Sequence, residues 1–405
     1  MLPASPFASL RHRNFRLFFW GQTASMVGAW MRTLAQGWLV LELTDSAFLV
    51  GLVTALSSLP VLLFSLPAGV YVDRSDKHRV VMVCQVLMAF VPAILAWRTF
   101  TGAITAGEVA VLATLLGIVQ AVEIPARQSF IVELVGKEDL TNAIALNSSA
   151  YNATRIVGPA MAGVLIARVS LAACFAINAL TMALVIIAFL RMRLPPFVRR
   201  PAEASAREQL RQGLRFARHH RGVWALILNT AVFGIFGFPF VVLLPVFARD
   251  LLRVGSEGLG VMSAAVGVGA VLSAFGVAAF SPVIRRGMLV RWGGPFFGIA
   301  VAAFALVHWY PATLLFLALS GFFMVANNAA TNTLLQSLVP DELRGRVMSL
   351  WTFVFVGFAP IGSLYFGWMG EYVGAAWAVA IGGLLSGVFG VWMWWRYAPE
   401  VSQIR

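Results

Sequence analysis

The stretch GVYVDRSDKHRV (Gly69–Val80) gathers Asp73, Arg74, Asp76, Lys77, His78 and Arg79 into seven positions of a 405-residue chain in which only 12% of residues are charged. Apolar runs flank it, residues 47–72 before and 80–101 after, each longer than the roughly 20 residues a helix needs to cross a bilayer. A knot of charge between two such runs reads as a loop at a membrane surface. Composition agrees: 60% of the residues are hydrophobic and mean hydropathy is +0.84, whereas a soluble domain carries about a quarter charged residues. Working outward, further apolar runs at 15–41, 107–130, 142–167, 171–192, 222–247, 258–280, 288–308, 312–336, 346–370 and 374–396 bring the expected spans to twelve. Continuous apolarity with little alternation predicts helices, not the strands of a barrel. The expectation is an all-α membrane protein.

Twelve spans place both termini on one side. Of the 30 Lys and Arg residues, 24 then fall on that side and 4 on the other, with Arg32 and Arg155 inside spans. By the positive-inside rule the termini and the 69–80 loop are cytoplasmic. This asymmetry accounts for most of the net charge of +13 and argues against nucleic acid as a partner. Arg11, His12, Arg13 and Arg16 precede a long apolar run with no small-residue cleavage site, so the first span is read as retained, not as a signal peptide. Cys84 and Cys174 stand alone within apolar runs, which indicates neither a disulfide framework nor a metal site. No G-x-x-x-x-G-K-[ST], H-E-x-x-H or G-x-S-x-G motif occurs, so neither ATP-driven pumping, an enzyme activity nor a cofactor is expected.

Residues 193–221 form the one long polar segment and lie at the midpoint, dividing the chain into 1–192 and 222–405. Leu210, Leu214 and Phe216 or Ala217 would line a weak apolar stripe on a helix lying at an anionic surface; a solvated linker is the other reading. Across this midpoint IVELVGKEDL (Ile131–Leu140) followed by GPAMAG is similar to LQSLVPDEL (Leu335–Leu343) followed by APIGS, at an offset of about 204 residues. Two six-helix pseudo-repeat bundles with a site between them near the midplane would carry such a pattern.

Of the 17 acidic residues, Glu123 alone lies well inside a span. An ionisable group there is expensive and is a functional candidate by default. Glu123 and Arg127 are four apart and share a helix face, with Pro125 between them as a source of bending. Arg155 and Arg32 lie near the middle of their spans. These four are expected to cluster, with Glu123 exchanging protons and an arginine as counter-charge or substrate contact. A fixed ion pair that only locks helices together is the competing reading. Asn327, Asn328 and Asn332 in the tenth span, with Asn147, Asn152, Gln36 and Gln120 in the first half, are expected to line a cavity in part. Trp30 and other aromatics would give it an adaptable apolar wall.

The Gly69–Val80 loop resembles the helix 2–3 motif G-x-x-x-D-R-x-G-R-K-x of the major facilitator superfamily: Gly69, Asp73, Arg74 and Lys77 match, Asp76 replaces the second glycine, and His78 takes a basic position, followed by Arg79. IPARQSFIVELVGKEDLTNAIALNSSAYNATRIVGPAMAG (Ile124–Gly163) is similar to the branch of bacterial drug and siderophore exporters that includes the enterobactin exporter. The resemblance implies that Asp73 docks at the cytoplasmic start of helix 11, near Arg344 and Arg346, when the protein faces outward; a solvated turn kept cytoplasmic by its basic residues is the plainer reading. It likewise implies that TRIVGPAMAG (Thr154–Gly163) is the helix-5 antiporter motif, with Gly158, Pro159 and Gly163 matching and Thr154 and Ala162 replacing glycines. Small residues there also serve ordinary close packing. Where those exporters carry a neutral polar residue, Arg32 would favour anionic or zwitterionic substrates. The function implied is secondary active, proton-coupled export of a small amphipathic molecule (a drug, a siderophore or a similar metabolite) by alternating access, from a monomer in a bacterial inner membrane. A lipid or lysolipid flippase of the same fold, or a non-transporting subunit of a membrane complex, are the alternatives.

Overall fold

The computed structural model describes residues 7–136, 138–194, 206–280 and 286–402. The first half is six long helices: α1 (Arg13–Thr44), α2 (Ala47–Asp73), α3 (Lys77–Phe100), α4 (Ala106–Val135), α5 (Leu140–Arg168) and α6 (Leu171–Leu190). Their ends are set by local chemistry. Ser46 and Ser170 accept backbone hydrogen bonds from Leu49 and Ala173, and Asp76 from Arg79, satisfying amide donors that a helix start leaves open. Thr105 and Glu108 form a reciprocal capping box ahead of α4. Gly102 and Gly136 end α3 and α4 with positive φ. The expected spans thus extend to caps that a hydropathy reading does not register.

After α6 comes the connecting helix α7 (Ala206–His219). Ala217 is fully buried and Leu214 and Phe216 pack beside it against the second half. Gly213 sits so near that half that a Cβ would lie 2.6 Å from the Arg346 carbonyl oxygen. The stripe read from sequence is therefore occupied by protein; the Leu210 side chain lies outside the described residues.

The second half begins with α8 (Arg221–Val232), but this span does not continue as one regular helix to 247. Pro239 and Pro245 lack the N–H an α-helix needs, and the ladder changes to a π segment (Phe233–Gly237), a 3-10 segment (Phe238–Leu243), a short α9 (Leu244–Val246) and a second π segment (Phe247–Leu251). Then follow α10 (Gly255–Phe280), α11 (Arg286–Leu306), α12 (Tyr310–Leu338), α13 (Asp341–Gly357), α14 (Ala359–Met369) and α15 (Ala375–Ser402). The repeated sequence lies at matching places, the α4–α5 and α12–α13 junctions. Among the described residues nine helical stretches are long and apolar enough to cross a membrane, one of them the 53-residue run Asp341–Met393.

Within the first half α2 packs on α4 and α1 on α5 and α6; within the second, α11 packs on α12 and α15. Between halves, α5 meets α10 and α2 meets α14. The apolar core has the same logic. One cluster joins both halves at the end away from the termini, including Met31, Trp38, Phe240, Phe304 and Phe366. At the termini end the core splits in two, around Phe15, Phe130 and Phe189 in one half and around Leu226, Leu334 and Val347 in the other.

Candidate functional site

Two glycine crossings shape the site by bringing backbones together at the distal end. At α2–α14, a Cβ on Gly51 would stand 2.5 Å from the Ser363 carbonyl oxygen and 2.7 Å from Gly367 Cα; at α5–α10, one on Gly163 would stand 2.6 Å from the Ser256 oxygen and 2.9 Å from Gly260 Cα. Charged groups finish the seal. Arg249 donates to Asp45 at 2.8 Å and to the Leu41 carbonyl at 3.0 Å. Glu371 accepts from the Ser46 hydroxyl at 3.0 Å and the Phe48 amide at 3.1 Å, and Arg168 meets Glu257 at 2.9 Å. All three link one half to the other. At the termini end, by contrast, Lys77–Glu133 at 2.7 Å, Arg79–Asp76 at 3.2 Å, Arg344–Asp341 at 2.5 Å and Arg11–Asp139 at 2.9 Å each lie within one half.

A cavity of about 820 Å³ lies between the halves on the termini side of this seal. On the wall from the first half, Glu123 is buried and its Oε1 accepts from Arg127 Nε at 2.8 Å and from Gln85 Nε2 at 3.3 Å. The helix runs through Pro125 unbroken, so the four-residue spacing holds both charges on one face. Arg32 is only 7% exposed; it donates to Gln36 Oε1 at 3.1 Å, while its Nε has no partner. Arg155 places its guanidinium 6.0 Å from the ring centroid of Phe238, on the interrupted helix of the other half. The opposite wall is neutral. Asn229 donates to Thr331 at 3.3 Å and to Asn327 at 3.5 Å, leaving Asn229 Oδ1 buried without a partner.

The cavity thus brings together Arg32, Glu123, Arg127, Arg155, Trp30, Gln120, Asn147, Asn152, Asn327 and Asn328. Two expected members fall outside it. Gln36 turns into a small side pocket beyond Arg32, and Asn332, one turn past Asn328, accepts from Gln336 at 2.6 Å instead. Sequence reasoning missed Gln85, Asn229, Thr331 and Gln22; the signal available was a polar side chain within an apolar run.

In the antiporter-like segment, Gly158 lets α5 close on α1, where a Cβ would lie 2.5 Å from Trp30 Cβ, and Gly163 belongs to the distal seal. Pro159 borders a further pocket with Arg155 and Phe238. In the loop, Gly69 has open space around it, Arg74 is exposed, and the Asp73 side chain lies outside the described residues. Arg344 is engaged by Asp341 and donates to the Gln336 carbonyl at 3.1 Å; Arg346 stands on α13 beneath α7. Outside the bundle, a hydrogen bond from His12 and the nearby Arg11 charge hold the Asp139 carboxyl below the ordinary aspartate range.

The chain shares 26% identity over 86% of its length, and 87% of the relative's, with the staphyloferrin A transporter of Staphylococcus aureus. It shares 22% with macrolide efflux protein A of Streptococcus pyogenes over 98% of each, and 27% with the multidrug efflux pump Tap of Mycolicibacterium fortuitum over 88% and 90%. In fold it is similar to a bacterial homologue of the iron transporter ferroportin in an inward-facing state, at TM-score 0.72 and 18% identity over 94% and 98% of the two chains. It is also similar to an inward-facing bacterial homologue of the human lysosomal transporter Spinster, at TM-score 0.71 and 16% identity over 97% and 96%. The sequence matches the family described as transmembrane secretion effector over residues 4–401. A multi-pass helical chain that folds like these transporters and matches that family almost end to end belongs to it, within the major facilitator superfamily.

Proposed function

We propose that the protein is a secondary active transporter of a bacterial inner membrane that exports a small amphipathic molecule in exchange for protons, by alternating access. The observation that carries this reading is the cavity between two halves, sealed at one end and lined by a buried Glu123 paired with a partly buried Arg127. With the termini cytoplasmic by the positive-inside rule, the sealed end faces outward and the cavity faces the cytoplasm. Export is favoured by what the relatives are named for, a siderophore transporter and two efflux pumps.

Glu123 suits the coupling role because its partner is a neighbour on the same helix. Protonation removes the charge that holds Arg127, freeing the guanidinium in the cavity, and loss of the proton restores the pair. The carboxylate is buried and Arg127 only partly so, so breaking the pair costs at most the roughly 3–5 kcal/mol of a fully buried one, a scale that can tie the proton to a change in the cavity's occupancy or state. The test is Glu123→Gln in proteoliposomes. Exchange of preloaded substrate without a gradient should persist, while uphill export driven by an imposed pH gradient should be lost; wild-type pH dependence in this variant would end the coupling role.

A further inference from the structure

The cavity's charges do not balance. Three guanidiniums, of Arg32, Arg127 and Arg155, line it with one carboxylate, and that carboxylate is committed to Arg127. Arg32 and Arg155 have no acidic partner among the described residues. Arg32 is also the deeper of the two, with a neutral amide as its hydrogen-bonding neighbour and its Nε unpaired. A largely buried cation held this way has no protein counter-charge, an arrangement that an anion entering the cavity would relieve. A guanidinium also presents a planar fork suited to bidentate contact with an oxyanion.

We propose that the transported molecule carries a carboxylate or comparable oxyanion that Arg32 binds, with Arg155 as a second cation lining the same cavity. Resting on the transporter reading, this narrows its substrate to anionic amphiphiles. The rest of the cavity fits the uncharged part of such a molecule. Trp30, Phe233 and Phe238 supply apolar faces, and Asn327 and Asn328 put neutral amides on the wall opposite the arginines. A cationic amphiphile would meet two uncompensated positive charges and a carboxylate already occupied. Phe238 lies over Arg155 from the other half, so an anion at Arg155 would be sensed by both halves.

The test uses three probes of one shape, 2-naphthoate, 2-naphthamide and 2-naphthylmethylamine, titrated calorimetrically into purified protein without a gradient. The expected result is that the carboxylate binds about tenfold or more tightly than the amide, with the amine weakest, and that Arg32→Gln erases this preference while Arg32→Lys keeps part of it. Equal or tighter binding of the amide or amine, no binding of any probe, or a preference that survives in Arg32→Gln overturns the proposal. Should Arg32→Gln fail to fold, the ranking in the wild-type protein still decides. Competition by phosphatidylglycerol would assign the oxyanion to a lipid headgroup, and its absence to a soluble carboxylate. The same probes in proteoliposomes under a pH gradient separate the two readings. A naphthoate that binds but is not moved sinks transport and leaves the oxyanion site, whereas preferential export of the amine keeps transport and sinks the site.

Discussion

Replacing Gly51 by alanine should push the two halves apart at the distal end. The new methyl carbon would lie 2.5 Å from the Ser363 carbonyl oxygen and 2.7 Å from Gly367 Cα, closer than side-chain carbons approach backbone. Because both obstacles are backbone, relief requires α2 and α14 to separate. Overpacking of this kind costs about 1–3 kcal/mol, and under the proposed alternating access it is charged only to the sealed state, because opening the distal end would part these helices. Alanine's better helix propensity, up to about 1 kcal/mol over glycine, acts on both states and cancels. At about 1.4 kcal/mol per factor of ten, the sealed-to-open ratio should fall by about 5- to 150-fold. Gly163→Ala meets Ser256 and Gly260 at 2.6 and 2.9 Å on a different pair of helices, so its effect should add. The assay is double electron–electron resonance between spin labels at Leu43 and Tyr372, exposed positions on opposite halves near the distal end, after replacing the buried Cys84 and Cys174. A longer-distance population should grow in each single variant and dominate in the double. An unchanged distance distribution in folded Gly51→Ala protein would refute the claim that this crossing sets the seal.

Three further outcomes are expected. Asp73→Asn should leave insertion and expression intact and reduce transport by about tenfold or more, roughly 1.4 kcal/mol of barrier, measured as initial export rate; full activity would remove the gate role. Arg249→Gln loses a charge shared by Asp45 and Asp250; as these pairs are partly exposed and each worth at most about 1 kcal/mol, the same spin-label pair should show only a few-fold gain of the open population. For Asp139 the folded carboxyl titrates below its ordinary value of 3.8, so its contribution is complete above about pH 4 and is lost as pH falls through the depressed value. Protease sensitivity of the Ala8–Arg11 turn should therefore rise in acid below pH 4 in the wild type, and be raised already at neutral pH in Asp139→Asn.

How much of this was legible depended on the distance over which each feature is encoded. Glu123 and Arg127 were readable because helical spacing is local: four residues fix a shared face wherever the helix lies. Arg32 and Arg155 announced themselves as charges in apolar runs. Gln36 shows the limit, since its place on the Arg32 face was legible but its facing a side pocket depends on how α1 crosses α2 and α4. Asn332 fails for a related reason, being one turn too near the helix end. Gln85 needed its partner to be noticed, 38 residues away. The distal seal was least legible. Asp45 and Arg249 are 204 residues apart, Ser46 and Glu371 are 325, and nothing local marks them as partners. The interruption of the seventh span had a visible cause in Pro239 and Pro245, yet hydropathy registers apolarity and is blind to a missing N–H.

The connecting helix α7 offers a way to watch the protein work. It is carried by the second half, through Ala217 and the Gly213 seat on Arg346, yet it also touches α2 of the first. Its opposite face, with Arg211, Arg215 and Arg218, is exposed. Any swing of one bundle over the other has to drag this helix across α2, so an environment-sensitive dye on Arg215→Cys would sit beside moving parts while staying clear of the substrate's path. If the bundles rock as proposed, its fluorescence would time each half-cycle, a stopwatch fixed to the outside of the machine.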